Sequence, residues 1–236
     1  AQAYEVIDSA GNTLFARNEN QQMDPASITK VMTAMVALDS GKRLDDVYTL
    51  SEISYQSDAQ VANIKTGDTL TLRQLLMIML IFSANDAADN VALAVSSSKD
   101  AFVNAMNDKA REIGMWDSVF LDPTGLSASN VSTARDLALL VARSARYPEI
   151  RRFSVASQLQ VRTAYGTRVF HTTNPLVGNQ QWGLTVQKTG FINEAGNCVV
   201  MQARVNGRQM IIVLLNSQGR YSRVADANRI RRFLEG

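Results

Sequence analysis

Hydrophobic and polar residues alternate near the start of the chain and again in its last third. The alternation over residues 3–18 is interrupted by a turn and predicts a β-hairpin. Two later stretches, 158–172 and 197–215, also predict hairpins, and the second turns at Asn206-Gly207, a pair typical of a type I′ turn. Because an isolated hairpin is only marginally stable in water, we expect the first hairpin to join the later strands in one sheet.

The middle of the chain shows helical periodicity instead. Residues 27–39 and 69–82 are apolar on nearly every face, which is typical of buried helices. Further helices are predicted over 86–97, 100–114, 132–145 and 222–235. Runs of strands and helices that do not alternate singly indicate an α+β fold with antiparallel pairing. We therefore predict one domain over residues 1–236, with a helical subdomain at approximately 45–155 inserted between segments of the sheet.

The composition supports a globular protein with a sizeable core, since 46% of the residues are hydrophobic and 19% are charged. The longest apolar run, residues 75–82, is too short to cross a bilayer, so no transmembrane segment is predicted. A single histidine, His171, excludes paired-histidine metal sites, and we predict neither a metal nor a cofactor. The single cysteine, Cys198, lies in an apolar run and is predicted to be a buried core thiol.

Charge is distributed unevenly, although the net charge is only +2. Residues 1–125 hold nine Lys and Arg against 17 Asp and Glu, whereas residues 126–236 hold 15 against five. Such an asymmetry can indicate an anionic partner for the second half. The basic residues are scattered, however, without runs or interleaved aromatic residues, so we expect no nucleic-acid binding. The simpler interpretation is that the two halves interleave in the fold and neutralise each other.

Three short motifs combine hydroxyl groups with amines or an amide. In chain order they are Ser27-x-x-Lys30, Ser83-x-Asn85 and Lys188-Thr189-Gly190. Two of these patterns also occur elsewhere, as Ser96-x-x-Lys99 in a serine-rich joint between helices and as Lys65-Thr66-Gly67 in a turn. The first SxxK motif instead begins a buried helix, and the second KTG motif falls in the strand region. We therefore predict that these two copies, and not the others, carry the chemistry.

Ser27 and Lys30 can form a nucleophile and its base. Residues three apart on a helix share a face, so the Lys30 amine can reach the Ser27 hydroxyl. A neutral lysine can accept the hydroxyl proton if burial or a neighbouring cation lowers its pKa, and Lys188 would be such a cation. The N–H groups of the helix N-terminus would suit a developing oxyanion. The structural alternative is that Ser27 only caps the helix and Lys30 is a surface cation.

The other two motifs suit a substrate that carries a carboxylate. Lys188 could attract the carboxylate and Thr189 could hydrogen-bond to it, while Gly190 would let a substrate backbone approach the strand closely. Ser83 and Asn85 lie at a predicted helix break, where they could relay a proton and hold a substrate amide. Each residue has a plain structural alternative in a turn or at a strand end. Their joint occurrence in this order favours a catalytic site.

The motifs and their surroundings resemble the penicillin-binding proteins and the active-site serine β-lactamases. The stretches ASITKVMTAMVAL, SANDAA, PTGLSASNVSTARDL and KTGFINEAGNCVVM are similar to those of the low-molecular-mass D-Ala-D-Ala peptidases of serine-peptidase family S11. Within that family the chain is most similar to the penicillin-binding protein 7/8 subgroup of D,D-endopeptidases, from about Tyr4 to Leu234. The resemblance implies a five-stranded antiparallel sheet flanked by helices, with an inserted helical subdomain.

The resemblance also implies a role for each motif residue. Ser27 would be the acylated nucleophile, Lys30 its proton acceptor, and Ser83 the second active-site serine, with Asn85 beside it. Lys188 and Thr189 would bind the substrate carboxylate, and the backbone N–H groups of Ser27 and Phe191 would form the oxyanion hole. The implied substrates are peptidoglycan stem peptides in the periplasm, with β-lactam antibiotics as covalent inhibitors. The protein is expected to be exported, with any signal peptide already removed, because no positively charged segment followed by an apolar one begins this sequence.

The alternatives differ in substrate and in turnover. The resemblance to the endopeptidase subgroup favours cleavage of D-Ala–diaminopimelate cross-links over removal of a terminal D-Ala. In addition, Phe191 follows the KTG motif where carboxypeptidase relatives often have histidine, which is a departure from the carboxypeptidase pattern. A β-lactamase is disfavoured, since no Glu-x-x-Leu-Asn element lies between Ser83 and Lys188. A catalytically silent peptidoglycan-binding protein is disfavoured because all the reactive residues are present.

Overall fold

A five-stranded antiparallel sheet lies at the centre of the computed structural model, which describes residues 1–56, 58–164, 166–219 and 221–236. The strands, in chain order, are β1 (Ala3–Asp8), β2 (Thr13–Arg17), β3 (Val47–Thr49), β4 (Thr69–Thr71), β5 (Gln158–Thr163), β6 (Gly166–His171), β7 (Val186–Ile192), β8 (Gly196–Val205) and β9 (Arg208–Ser217). The order in the central sheet is β2-β1-β9-β8-β7. The first hairpin therefore joins the later strands, as the sequence predicts, and β7 is an edge strand.

The described helices overlap the predicted segments, with differences at their ends, except for a short helix at 148–153 that was not predicted. They are α1 (Thr29–Asp39), α2 (Leu72–Phe82), α3 (Asn85–Val95), α4 (Lys99–Glu112), α5 (Ala134–Ser144), α6 (Pro148–Phe153) and α7 (Ser222–Glu235). Residues 69–71, predicted to be helical, form β4 instead and pair with β3. Thr71 is the N-cap of α2. Its side chain accepts a hydrogen bond from Gln74 N, so the helix begins only at the next residue.

The central sheet is covered on both faces, since alternate residues of its strands contribute to different apolar clusters. In β9, Met210, Ile212 and Leu214 belong to the cluster that α7 covers. Residues 211, 213 and 215 belong to the larger cluster on the opposite face, together with α1 and α5. This period of two is the alternation that the sequence shows. The acidic first half and the basic second half of the chain thus meet in one sheet.

The hairpin β5–β6 forms a separate two-stranded sheet. It packs against α2, where the rings of Phe82 and Phe170 lie 5.2 Å apart in an edge-on arrangement. The hairpin is present as predicted, although residue 165 of its turn lies outside the described residues. The turn at Asn206-Gly207 also matches the prediction, with positive φ at both positions.

Helix α1 is enclosed by other elements and carries the SxxK lysine on its first turn. Helices α2, α3, α4 and α5 all pack against it, so that residues 29–37 are buried without exception. Cys198 is buried in β8 as predicted, and burial raises its pKa to about 11. No helix in the described part of the chain is long and apolar enough to span a membrane. The division into a sheet region and a helical subdomain remains a prediction.

Candidate active site

Ser27 lies in a 3₁₀ turn, Ala26–Ile28, immediately before α1. Ala26 has a positive φ of 48°, which is uncommon for a residue with a side chain. The Asp24 carboxylate accepts a 2.8 Å hydrogen bond from Ala26 N and helps to hold this conformation. The turn packs against edge strand β7, and the Ser27 side chain is only partly buried. The hydroxyl is therefore presented at a rigid position that a ligand can reach.

The Lys30 amine contacts three oxygen atoms. Its Nζ lies 2.7 Å from Ser27 Oγ, 2.8 Å from Asn85 Oδ1 and 2.7 Å from the Thr124 carbonyl oxygen. The orientation of the Asn85 amide is fixed because its Nδ2 donates a hydrogen bond to the Gln60 carbonyl at 3.0 Å, and a flipped amide would lose this bond. Asn85 Oδ1 and the Thr124 carbonyl can only accept hydrogen bonds. When Lys30 is neutral, its two N–H groups donate to these acceptors and its lone pair is directed at the Ser27 hydroxyl.

Burial makes that neutral state accessible. Lys30 has no solvent-exposed surface, and desolvation lowers its pKa from the usual 10.5 to about 7. The negative charges of Asp122, Asp89 and Asp86 oppose this effect, in decreasing order. Lys30 therefore changes protonation state near neutral pH, which is the range in which a general base is effective.

Lys188 forms a second buried amine in the same site. Its Nζ donates to Ser83 Oγ at 2.7 Å and to the Thr189 carbonyl at 2.9 Å. Desolvation lowers the pKa of Lys188 well below its usual value, and the charges of Lys30 and Arg223 lower it further. Because Ser83 Oγ accepts from Lys188, the Ser83 hydroxyl hydrogen can be donated to a third group. Ser83 itself has a positive φ of 61° at the end of α2, where the chain leaves the helix towards the site.

The KTG residues place different groups along β7. The Thr189 hydroxyl lies 2.6 Å from the Thr173 hydroxyl, and either can be the donor. A Cβ atom on Gly190 would lie 3.1 Å from Ser27 N and 3.2 Å from the Pro25 carbonyl oxygen, so the absence of a side chain lets β7 pack against the serine turn. The Phe191 side chain is 56% exposed at the end of the strand. Substrate contacts of Thr189, Gly190 and Phe191 stay predictions.

The duplicate motifs lie apart from this arrangement. Lys99 pairs with Asp89 at 3.0 Å, and Ser98 caps α4 by accepting a hydrogen bond from Ala101 N. Lys65 lies in a turn and pairs with Glu52 at 2.7 Å. Neither lysine is buried like Lys30 and Lys188.

Sequence reasoning missed three groups that orient the site. These are the carbonyls of Gln60 and Thr124 and the hydroxyl of Thr173. A backbone carbonyl carries no residue-type signature, so the first two leave no signal in a single sequence. In the described residues, no group of three or more His, Cys, Asp or Glu side chains is arranged to hold a metal ion. The arrangement as a whole offers a nucleophilic hydroxyl with an adjacent base, and a second hydroxyl next to a second amine.

Comparison with known proteins gives consistent matches over nearly the whole chain. The family described as Peptidase S11, D-alanyl-D-alanine carboxypeptidase, matches residues 1–219. A D-alanyl-D-alanine endopeptidase from Pseudomonas aeruginosa is 41% identical over 231 residues, which cover 96% of this chain and 74% of that protein. A D-alanyl-D-alanine endopeptidase from Escherichia coli K12 is 35% identical, with 98% and 76% covered.

Solved structures show the same architecture. The crystal structure of penicillin-binding protein D2 from Listeria monocytogenes in its cefotaxime-bound form superposes with a TM-score of 0.87 at 28% identity. The superposition covers 98% of this chain and 96% of that one. The five-stranded antiparallel sheet with flanking helices that the sequence predicts is confirmed.

Proposed function

The chain belongs to the peptidase S11 family of D-alanyl-D-alanine carboxypeptidases, and on that basis we propose that it is a serine-type D,D-peptidase that hydrolyses peptidoglycan stem peptides through an acyl-enzyme at Ser27. The observation that carries the proposal is the environment of Lys30. A buried amine lies 2.7 Å from a partly exposed serine hydroxyl, and two fixed acceptors direct its lone pair to that hydroxyl. This is the geometry that a lysine needs to act as the base of a serine nucleophile.

Acylation follows from this geometry. Ser27 Oγ attacks the carbonyl carbon of a D-alanine residue, and its proton passes to Lys30 Nζ. The C–N bond then breaks, and the leaving amine must gain a proton. Ser83 can relay one, because its oxygen already accepts from Lys188 and its hydrogen is free to be donated. The Ser83 oxygen then takes up a proton in place of the one it gave, and the proton held by Lys30 balances this, so Ser83 is restored and Lys30 is neutral again. Water then attacks the ester and loses a proton to the neutral Lys30. The bond between the acyl carbon and Ser27 Oγ breaks, Lys30 returns its proton to Oγ, and the acid is released.

The substrate carboxylate is assigned to the end of β7. Lys188 supplies positive charge there when protonated, and the Thr189 hydroxyl supplies a hydrogen-bond donor. The bond between the Thr173 and Thr189 hydroxyls supports this role, because Thr173 can donate to Thr189 and leave the Thr189 hydrogen directed outward. The oxyanion would be bound by the backbone N–H groups of Ser27 and Phe191. These lie on the serine turn and on β7, which pack closely together because Gly190 has no side chain.

An endopeptidase is favoured over a carboxypeptidase. The two curated relatives described above carry the endopeptidase name, and Phe191 presents an exposed apolar side chain just beyond the carboxylate position. Such a side chain suits contact with the bulky neighbouring stem of a cross-link. Peptidoglycan lies outside the cytoplasmic membrane, so the proposed activity supports our proposal of a periplasmic location.

We expect the rate of covalent labelling by a fluorescent penicillin to rise with pH through an apparent pKa near 7. The neutral form of Lys30 is the active base, and its fraction grows as pH increases through the pKa of about 7. The apparent value belongs to the coupled Lys30–Lys188 pair. Initial labelling rates between pH 5 and 9 would measure it. A rate that increases only above pH 9, as for an ordinary lysine, would contradict the proposed base.

We expect purified enzyme to cleave a cross-linked dimeric muropeptide faster than it removes D-Ala from a monomeric pentapeptide. Both reactions use Ser27, Lys188 and Thr189, so the difference reports on contacts beyond the carboxylate. Equal concentrations of the two substrates, followed by chromatography and mass spectrometry of the products, would measure the ratio. Faster release of D-Ala from the pentapeptide would establish the carboxypeptidase alternative and leave the Ser27 mechanism intact.

Two lower alternatives give different results in the same preparation. A β-lactamase would release the bound penicillin rapidly, whereas a D,D-peptidase keeps the label because the acyl-enzyme hydrolyses slowly. A protein that only binds peptidoglycan would neither acquire the label nor cleave either muropeptide.

A further inference from the structure

A tight turn at residues 122–125 lies against the first turn of α1 and contributes the carbonyl that Lys30 contacts. No residue of this turn was predicted to be a site residue, although residues 123–125 begin one of the stretches that resemble the S11 family. Thr124 O accepts from Lys30 Nζ at 2.7 Å, so the position of this one carbonyl decides where the neutral lysine directs its lone pair.

Asp122 organises the turn through its side chain. One carboxylate oxygen accepts from Thr124 N at 3.0 Å and from the Thr124 hydroxyl. The other accepts from Gly125 N at 3.1 Å and from Asn130 Nδ2 at 2.9 Å. Four hydrogen bonds from three residues therefore converge on one side chain, and two of them go to the residue whose carbonyl contacts Lys30.

The turn is also attached to α1 on both sides of Lys30. The Thr33 hydroxyl donates to the Pro123 carbonyl at 2.7 Å, and Asn130 Nδ2 lies 3.3 Å from the Thr29 hydroxyl. At Gly125 a Cβ atom would lie only 1.9 Å from the Ala26 carbonyl oxygen, so the turn touches the serine turn as well. The turn that Asp122 organises is therefore fixed against both the Ser27 turn and the first turns of α1, which carry Lys30.

Charge reinforces the geometry. The carboxylates that favour the ammonium form of Lys30 are Asp122 from this turn and Asp89 and Asp86 from α3, and Asp122 has the largest effect. Lys188 on β7 is a nearby cationic group, and the charge of Lys30 lowers the pKa of Lys188. Asp89 is engaged by Tyr55 and Lys99, and Asp86 by the backbone N–H groups of Ala62 and Ile64, whereas the Asp122 hydrogen bonds go to the turn that touches Lys30.

We propose that Asp122 is a positioning residue for the Ser27–Lys30 pair, holding the Thr124 carbonyl against the lysine and placing a negative charge beside it. The inference rests on the proposed role of Lys30 as the base. When Lys30 takes the Ser27 proton it becomes an ammonium ion, and Asp122 stabilises that ion electrostatically. The Thr124 carbonyl accepts one of its N–H groups before and after the transfer.

The test compares the pH profile of penicillin labelling in three variants. Asp122→Asn removes the charge, so the pH at half-maximal rate should fall by about one unit, and the plateau should fall up to about tenfold. Asp122→Glu keeps the charge but displaces the turn, and should lower the plateau with little change in the half-maximal pH. Thr124→Val removes one hydroxyl that bonds to Asp122 and should also lower the plateau alone.

Asp108→Asn is the matched control, because Asp108 is exposed and pairs only with Arg111 in the described residues. It should reproduce the wild-type profile. A folded Asp122→Asn variant with the wild-type half-maximal pH would overturn the proposal. If that variant does not fold, a Thr124→Val protein with the wild-type plateau would overturn it instead. A wild-type protein that is not labelled at any pH would refute the proposed function itself, which is a separate outcome.

Discussion

Replacing Ser27 by alanine is expected to abolish covalent labelling by a fluorescent penicillin and hydrolysis of both muropeptides. The change removes the only atom that forms the acyl bond, so no adduct can form, whatever the other residues contribute. Hydrolysis should decrease by about 10⁴-fold or more, as for other enzymes that lose their nucleophile. Gel fluorescence after a saturating incubation, together with product chromatography, would measure both effects.

The chain contains its own matched control for this experiment. Ser96 also precedes a lysine by three residues, but that lysine pairs with Asp89 and lies outside the site. Ser96→Ala should therefore keep the full label. A circular dichroism melt would confirm that the Ser27→Ala protein is folded, as expected for the loss of one hydroxyl from a partly exposed position. Labelling of Ser27→Ala with loss of label in Ser96→Ala would reverse the choice between the two motifs.

Replacing Lys30 by arginine is expected to reduce the labelling rate by about 10³-fold, within the range attributed to general bases. Guanidinium does not lose a proton below pH 12, so an arginine cannot accept the Ser27 proton even if it fits. It is also larger than an ammonium group, and Lys30 has no exposed surface into which a longer side chain could extend. Labelling time courses at pH 7 to 9 would measure the loss.

Two further variants keep this result interpretable. Lys30→Met fills a similar volume without a base, so it should be as slow as the arginine variant even if arginine disturbs packing. Lys99→Arg keeps the charge that pairs with Asp89 and should label at the wild-type rate. Labelling of a folded Lys30→Arg protein at a rate within tenfold of wild type would show that Lys30 is not the base.

Local sequence patterns predict much of the secondary structure. The period of two in β8 and β9 and the Asn206-Gly207 turn predict that hairpin because each depends on neighbouring residues. Helix α5 lies within its predicted segment and begins after Thr133, which caps it by accepting a hydrogen bond from Asp136 N. The errors arose where a capping residue delayed the start of a helix, as at Thr71, or where an element was too short to show its period, as in β3, β4 and α6.

A full description of the site requires both the sequence and the tertiary structure. The order of the three motifs and the burial pattern around Lys30 single out the candidate residues from the sequence alone, and hydroxyl and amine groups at that spacing predict the kind of chemistry. The contact between Lys188 and Ser83 could not be predicted from the sequence, because the two residues are 105 positions apart. Only the packing of β7 beside the end of α2 brings Lys188 Nζ to 2.7 Å from Ser83 Oγ.

The sequence by itself determined the α+β class, the turns and helix starts, and the identity of the reactive side chains, because these follow from periodicity and side-chain chemistry over a few residues. The tertiary structure decided which motif copy is buried, how Asn85 is turned, and which atoms direct the Lys30 lone pair. Two carbonyl oxygens are responsible: that of Gln60 orients the Asn85 amide, 25 residues away, and that of Thr124 contacts Lys30, 94 residues away. Every residue has such a carbonyl, so only the folded backbone distinguishes these two from the rest.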